Sequence, residues 1–270
     1  MQKFAAGFEY NGSRYCGWQV QKENTSIQVE IENALMKFSG NKILTYCSGR
    51  TDAKVHAIFQ VIHFYTHIIR SYRQWVLGMN TYLPRDISMI WIIPVKNNFH
   101  ARHSATSRRY VYLIYNHTIR PGIFQEYFTT IFSPLNINKM KNAAKQLIGK
   151  HDFTSFRSKK CQSKTAYRII YNIQVYKSGK YIYIDIRANS FVYNMVRNIV
   201  GTLIQIGKGD KSEFWISELL KLKNRKLSGP KTPPQGLYLV EVRYPTNFKI
   251  PRVNLEISFF NQFLFKKFMN

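Results

Sequence analysis

Acidic residues are scarce in this chain. Fourteen Asp and Glu stand against 40 Lys and Arg over 270 residues, a formal charge of +26. A soluble protein gains little from so much self-repulsion, so the imbalance points to a polyanionic partner, nucleic acid first. Membrane binding is the weaker reading, because no long amphipathic helix with a basic face stands out. Cysteine is also sparse: Cys16, Cys47 and Cys161 are odd in number and widely spaced, which excludes a disulfide framework and a zinc site. The histidines show no metal-ligand spacing, so no metal is expected. The longest apolar run, "ISMIWIIPV", is too short to span a bilayer, and "MQKFAAGFEYNGSRY" lacks the apolar core of a signal peptide. No membrane partner and a cytoplasmic location are the expectation. Disorder is excluded too, since 45% of residues are hydrophobic and 15% aromatic, enough for one large domain or two small ones.

Periodicity then orders the elements. "KFAAGFEY" reads as a strand, ended by the turn-forming "NGSRYCGW". Thr25 and Ser26 cap a helix with its apolar face on Ile27, Ile31, Leu35 and Phe38. "KILTYC" and "AIFQVIHFY" predict strands, "YRQWVLGMNTYL" a helix closed by Pro84, and "ISMIWIIPV" a further strand. The order βαββαβ is that of a ferredoxin-like unit. The second half repeats it loosely: "RRYVYLIYN" as a strand, a helix around Ile137–Leu147, and a hairpin of "AYRIIYNIQVY" with "KYIYIDIRA" across Ser178-Gly179. Helices at Phe191–Ile206 and Glu213–Leu222 and a last strand "GLYLVEVRY" complete it. The expected fold class is α+β, with two ferredoxin-like, RRM-like βαββαβ units joined into one extended mixed or antiparallel sheet and helices on one face. The units are expected at residues 1–104 and 105–245, with the boundary near Lys96–Ser107 and an appendage of unassigned role at 246–270.

Against that basic background one carboxylate is conspicuous. Asp52, in "CSGRTDAKVHAIFQ", is the only acid between Glu32 and Asp86. By itself it reads as a turn aspartate bonding a nearby backbone N–H, or as the partner of Arg50. The wider pattern reverses those odds. "GRTDAKVHA" resembles the signature of the TruA-type tRNA pseudouridine synthases, in which it reads GRTDAGVHA. "YNGSRYCGWQVQ" before it and "FHARHSATSRRYVYLIYN", "HDFTSFR", "SFVYNMVRNIVGTLIQIGKG" and "GPKTPPQGLYL" after it stand in the family's order. The resemblance covers nearly all of the chain up to about Pro245 and is highly specific.

The resemblance implies an RNA-modifying isomerase that turns uridine into pseudouridine at positions 38, 39 and 40 of the tRNA anticodon arm. No cofactor is needed, because isomerisation neither gains nor loses a group. Asp52 matches the catalytic aspartate and Arg197 the arginine paired with it. Tyr110 matches the tyrosine that meets the target base; without the family, Tyr112 is an equal candidate. Leu237 is expected against the uracil, and Arg50 in the substrate site. Arg14, Arg102, His103, Arg108, Arg109, Lys159, Lys160 and Lys164 are the expected grips on the RNA backbone, and the bases around Asp52 are expected to favour its ionised form. The family works as a homodimer, so a homodimer is expected. Two other readings remain: a non-catalytic RNA-binding or chaperone protein on the same scaffold, and pseudouridylation of another RNA. In two places the pattern departs from the family. Lys54 stands where the motif has glycine, a residue that often marks a positive φ, and Asn224 replaces an aspartate.

Overall fold

The helix and turn punctuation read from the sequence is realised locally. In the computed structural model, which describes residues 1–21, 24–159 and 161–252, the Ser26 side chain accepts a hydrogen bond from the Val29 amide and starts α1 (Ile27–Ser39). Ile27, Ile31, Leu35 and Phe38 form its buried face. Ser71 and Gln74 make a reciprocal capping box at the start of α2 (Tyr72–Tyr82). These helices join β1 (Gln2–Tyr10), β2 (Tyr46–Cys47), β3 (His56–Thr66) and β4 (Ile87–Pro94). The second half contributes β5 (Ser107–Asn116), β6 (Thr129–Ile131), α3 (Ile137–Lys145), β7 (Gly149–Asp152), β8 (Tyr167–Ser178), β9 (Tyr181–Ala188), α4 (Met195–Lys208), α5 (Trp215–Leu222) and β10 (Leu237–Arg243).

One ten-stranded sheet runs β4-β1-β3-β10-β5-β9-β8-β7, with β2 on β3 and β6 on β5. Within it, β4-β1-β3-β2 and β10-β5-β9-β8 each show the strand order of a ferredoxin-like unit. The two are zipped by a short parallel pairing of β10 with β3, Tyr238 opposite His56 and Leu239 opposite Ala57. This is the α+β double unit that the sequence predicts. Helices cover one face. Trp75 of α2 lies 5.8 Å from the rings of both Phe4 and Phe64, and α3, α4 and α5 bury Met140, Ile199, Leu203 and Leu219 against Tyr112, Ile114 and Ile184. On the opposite face Val111, Leu113, Tyr183, Tyr238 and Val240 form a third cluster under Phe128.

Two expected elements differ, and two short strands are added. "KILTYC" is a strand only at Tyr46–Cys47, because the Thr45 amide and hydroxyl both donate to the Glu32 carboxylate of α1 at 2.9 Å, which takes that backbone away from a ladder. The expected helix start at Phe191 moves to Met195: Asn194 sits in the left-handed region (φ 61) and precedes the first helical residue. β6 and β7 are additions, only three and four residues long. Of the C-terminal appendage, residues 253–270 lie outside the described residues. Among the described residues no helix is long and apolar enough to cross a membrane.

Candidate active site

The Asp52 turn joins β2 to β3 and is clasped by the loop after β1. The Trp18 amide donates to the Thr51 carbonyl (3.0 Å) and the Lys54 amide to the Tyr15 carbonyl (3.1 Å). The Tyr10 hydroxyl meets the Thr51 hydroxyl at 2.7 Å, and His56 Nδ1 accepts from the Gly12 amide at 3.1 Å. Gly17 makes the close approach possible. Its φ is +91, and a Cβ there would lie 2.7 Å from the Thr51 carbonyl oxygen. Thus "NGSRYCGW" forms a cradle for the aspartate turn. Lys54 adopts φ 63, so this lysine occupies the left-handed backbone that glycine fits without strain.

Arg197 reaches the turn from the first helical turn of α4. Its Nη1 lies 3.6 Å from Asp52 Oδ2, with the arginine side chain 8% and the aspartate side chain 25% exposed. Two further bonds orient the guanidinium: Nε donates to the Thr232 carbonyl (2.7 Å) and Nη1 to Asn194 Oδ1 (3.3 Å). The Thr232 hydroxyl donates back to the Arg197 carbonyl at 3.1 Å. This interlock needs α4 and the segment before β10 to touch backbone to backbone. A Cβ on Gly201 would fall 1.8 Å from the Pro230 oxygen, and one on Gly229 would fall 2.6 Å from the Gly201 carbonyl carbon. Arg225 ties the same two pieces together, donating to Asn198 Oδ1 (2.8 Å) and the Gly229 carbonyl (3.1 Å). Asn224, the other departure, still caps: its side chain accepts from the Lys226 amide at 2.9 Å.

Asp52, Arg197, Tyr110 and Leu237 all line one cleft of about 1370 Å³ over the seam between the two units, with Gln28 of α1 on one side and the start of α4 on the other. Tyr110 lies half-buried on β5, its ring edge-on to Phe191 at 5.1 Å. Tyr112 is set apart from it: buried, outside the cleft lining, and with its hydroxyl tied to Thr129 Oγ1 (2.5 Å) and the Pro233 carbonyl (2.7 Å). Burial raises the Asp52 carboxyl above its ordinary range, and Arg197 and then Lys231 pull it back only in part. The expectation that basic neighbours dominate there is therefore reversed: desolvation outweighs them. Burial, helped by the Asp52 charge, also holds the Tyr110 hydroxyl in its neutral form.

The expected RNA grips divide. Arg50, Arg102 and His103 line the cleft, and Arg50 Nη1 donates to Gln162 Oε1 at 3.1 Å, bridging the turn to the segment between Lys159 and Lys164. Arg108 also lines it, but buried, with its guanidinium on the carbonyls of Ser48 (2.8 Å), Arg102 (2.6 Å), Ala105 (3.2 Å) and Asn189 (3.1 Å). It braces the cleft wall instead of presenting a free cation. Arg109 points elsewhere. It lies one residue from Tyr110 on the opposite side of the strand and makes a bidentate pair with Asp185 (2.8 and 2.5 Å). Arg14 is exposed beside Asp86 (3.4 Å), and Lys159 and Lys164 are exposed; none of the three is among the cleft-lining residues. Lys160 lies outside the described residues. The sequence does not single out Asn194, Thr232 and Phe191, which aim Arg197 and Tyr110; their stretches of the chain, "FVYNMVR" and "PKTPP", carry no chemical signal of that duty.

Comparison with known proteins then fixes the class. The family model described as tRNA pseudouridine synthase matches residues 6–104 and 143–245. A tRNA pseudouridine synthase A of Wigglesworthia glossinidia brevipalpis is 58% identical over 260 residues, covering 96% of this chain and 98% of that protein. One of Blochmanniella pennsylvanica is 50% identical, covering 95% and 98%, and one of Yersinia pseudotuberculosis is 49% identical, covering 93% and 95%. The chain belongs to the tRNA pseudouridine synthase family. It is an isomerase that converts uridine to pseudouridine.

Proposed function

We propose that the chain isomerises uridines 38, 39 and 40 of the tRNA anticodon arm, with Asp52 as the catalytic carboxylate. The reaction breaks the bond from ribose C1′ to uracil N1, turns the base over and joins C1′ to C5; the C5 proton is released and N1 takes one up. A carboxylate serves this chemistry as a nucleophile at C1′ or C6, or in proton transfer at the sugar. A single observation carries the reading. Asp52 is the one acid among the described residues that line the cleft, and it sits 3.6 Å from a buried guanidinium beside Tyr110 and Leu237. A chaperone on this scaffold has no use for a desolvated carboxylate that costs stability.

In this reading Arg197 holds Asp52 in place and limits the penalty of its burial. The target base leaves the stack and lies between Tyr110 and Leu237, while Arg50, Arg102 and His103 meet phosphates at the cleft rim. The protein works in the cytoplasm as a homodimer, since a tRNA spans more surface than one such chain presents. Light scattering checks the assembly, and a monomeric mass with full activity overturns it. The substrate is tested by incubating the purified protein with unmodified tRNA and mapping pseudouridine nucleotide by nucleotide. Conversion confined to positions 38–40 is expected; conversion elsewhere, or only in another RNA, overturns the assignment.

A further inference from the structure

A chain of aromatic rings runs along the cleft on the α1 side, and the proposed chemistry makes no use of Tyr46, His63 or His100 in it. Tyr46 of β2 lies directly opposite His63 of β3 in the ladder, the two rings stacked at 4.9 Å and 20°. His63 contacts His100 at 4.6 Å, and His100 contacts His103 at 4.3 Å. The backbone fixes the set: His63 Nδ1 accepts from the Ala101 amide (3.2 Å), and His100 Nδ1 accepts from the amides of Arg102 (3.1 Å) and His103 (3.3 Å). His63 is buried, whereas Tyr46 is 46% exposed and, with His100, Arg102 and His103, faces the cleft. A tyrosine ring stacked on a fixed imidazole, with His100 tilted beside it at 6.1 Å, and still 46% exposed is pre-organised to stack a planar ligand.

We infer that Tyr46, backed by His63, is a stacking platform for a nucleobase of the RNA outside the reacting uridine, with Arg102 meeting the adjoining phosphate. This rests on the reading of the cleft as a tRNA site. Charge favours that occupant: Asp52 is the one acid among the cleft-lining described residues, while Arg50 and Arg102 line the same cleft. Stacking is tolerant of base identity, so the platform contributes affinity and register without choosing a sequence.

Salt separates a stack from an ion contact. Binding of unmodified tRNA is measured over a salt series for the wild type, Tyr46→Ala, Tyr46→Leu, Tyr46→Phe and Arg102→Ala, with melting curves for each. Tyr46→Ala and Tyr46→Leu should each weaken Kd roughly tenfold with the slope of log Kd against log salt unchanged. Tyr46→Phe should restore binding. Arg102→Ala should reduce the slope by about 1. A folded Tyr46→Leu that binds within about twofold of the wild type, or one that changes the salt slope, overturns the platform. Pseudouridine formation by the wild type in the same tRNA is scored separately. Its absence overturns the tRNA reading, whereas an active wild type with an indifferent Tyr46 overturns only the platform.

Discussion

Removing the Arg197 charge should move the pH at which the enzyme switches on. Its Nη1 lies 3.6 Å from Asp52 Oδ2, a separation at which two unit charges interact by about 4–5 kcal/mol at an effective dielectric of ~20. Asp52 is a quarter exposed, so solvent screening removes much of that and leaves roughly 1–2 kcal/mol. At about 1.4 kcal/mol per unit, Arg197→Met should raise the acid limb of the single-turnover rate by roughly one pH unit. The direction follows from the signs. Burial already raises Asp52 and Arg197 opposes it, and in the proposed mechanism the ionised form is the one that acts. Arg197→Lys keeps the charge but cannot satisfy Thr232 and Asp52 together; its limb should stay near the wild type while the plateau rate falls. Stability provides a second reading. A carboxylate raised in the fold costs stability once ionised. The cost is absent below the unfolded value and complete above the folded one, so Arg197→Met should lose more in melting temperature at pH 8 than at pH 4. A limb unmoved in Arg197→Met, with the variant folded and binding tRNA, refutes the electrostatic coupling.

Three further outcomes follow from the geometry. Lys54→Gly relieves a left-handed backbone at an exposed position and should leave the melting temperature equal or raised, by up to ~1 kcal/mol of stability, with activity kept; a clear loss of stability contradicts the strain. Gly201→Ala sets a methyl against the Pro230 oxygen and should cost roughly 1–3 kcal/mol in denaturant unfolding. Activity should fall further, because Thr232, two residues on, orients Arg197; unchanged unfolding and rate contradict the interlock. Tyr110→Phe keeps the packing on Phe191 and removes the hydroxyl; if that group moves a proton, single-turnover rate should drop roughly 100-fold with tRNA affinity retained, and an unchanged rate leaves Tyr110 with stacking alone.

Much of the fold was legible because it is written in local chemistry. Ser26 and Ser71 cap the helices they precede, and Gly179 turns the β8–β9 hairpin at φ 56. Where the sequence misled, one distant side chain and one local backbone turn had taken over: Glu32 captured the Thr45 amide, and the left-handed backbone of Asn194 delayed α4. The site was legible only by resemblance. Tyr110 and Tyr112 share a strand face and differ only in what lies over them, Phe191 in one case and Thr129 with Pro233 in the other. Arg108 and Arg109 look alike in sequence, yet the strand's alternation sends one to four carbonyls at the cleft wall and the other to Asp185 across the sheet. Such fates depend on partners 60 or more residues away, as with Ser48 and Asp185.

Asp52 is the residue on which the proposed chemistry depends. The decisive measurement is tritium release from tRNA carrying 5-tritiated uridine, in a single turnover with Asp52→Asn at saturating protein, since C5 must lose its hydrogen when it bonds C1′. The amide keeps the shape and most of the hydrogen bonding but has neither charge nor nucleophilicity. A variant that melts as a folded protein and binds tRNA at least as well as the wild type, yet releases no tritium, is the predicted result. A folded Asp52→Asn that releases tritium at near the wild-type rate contradicts it.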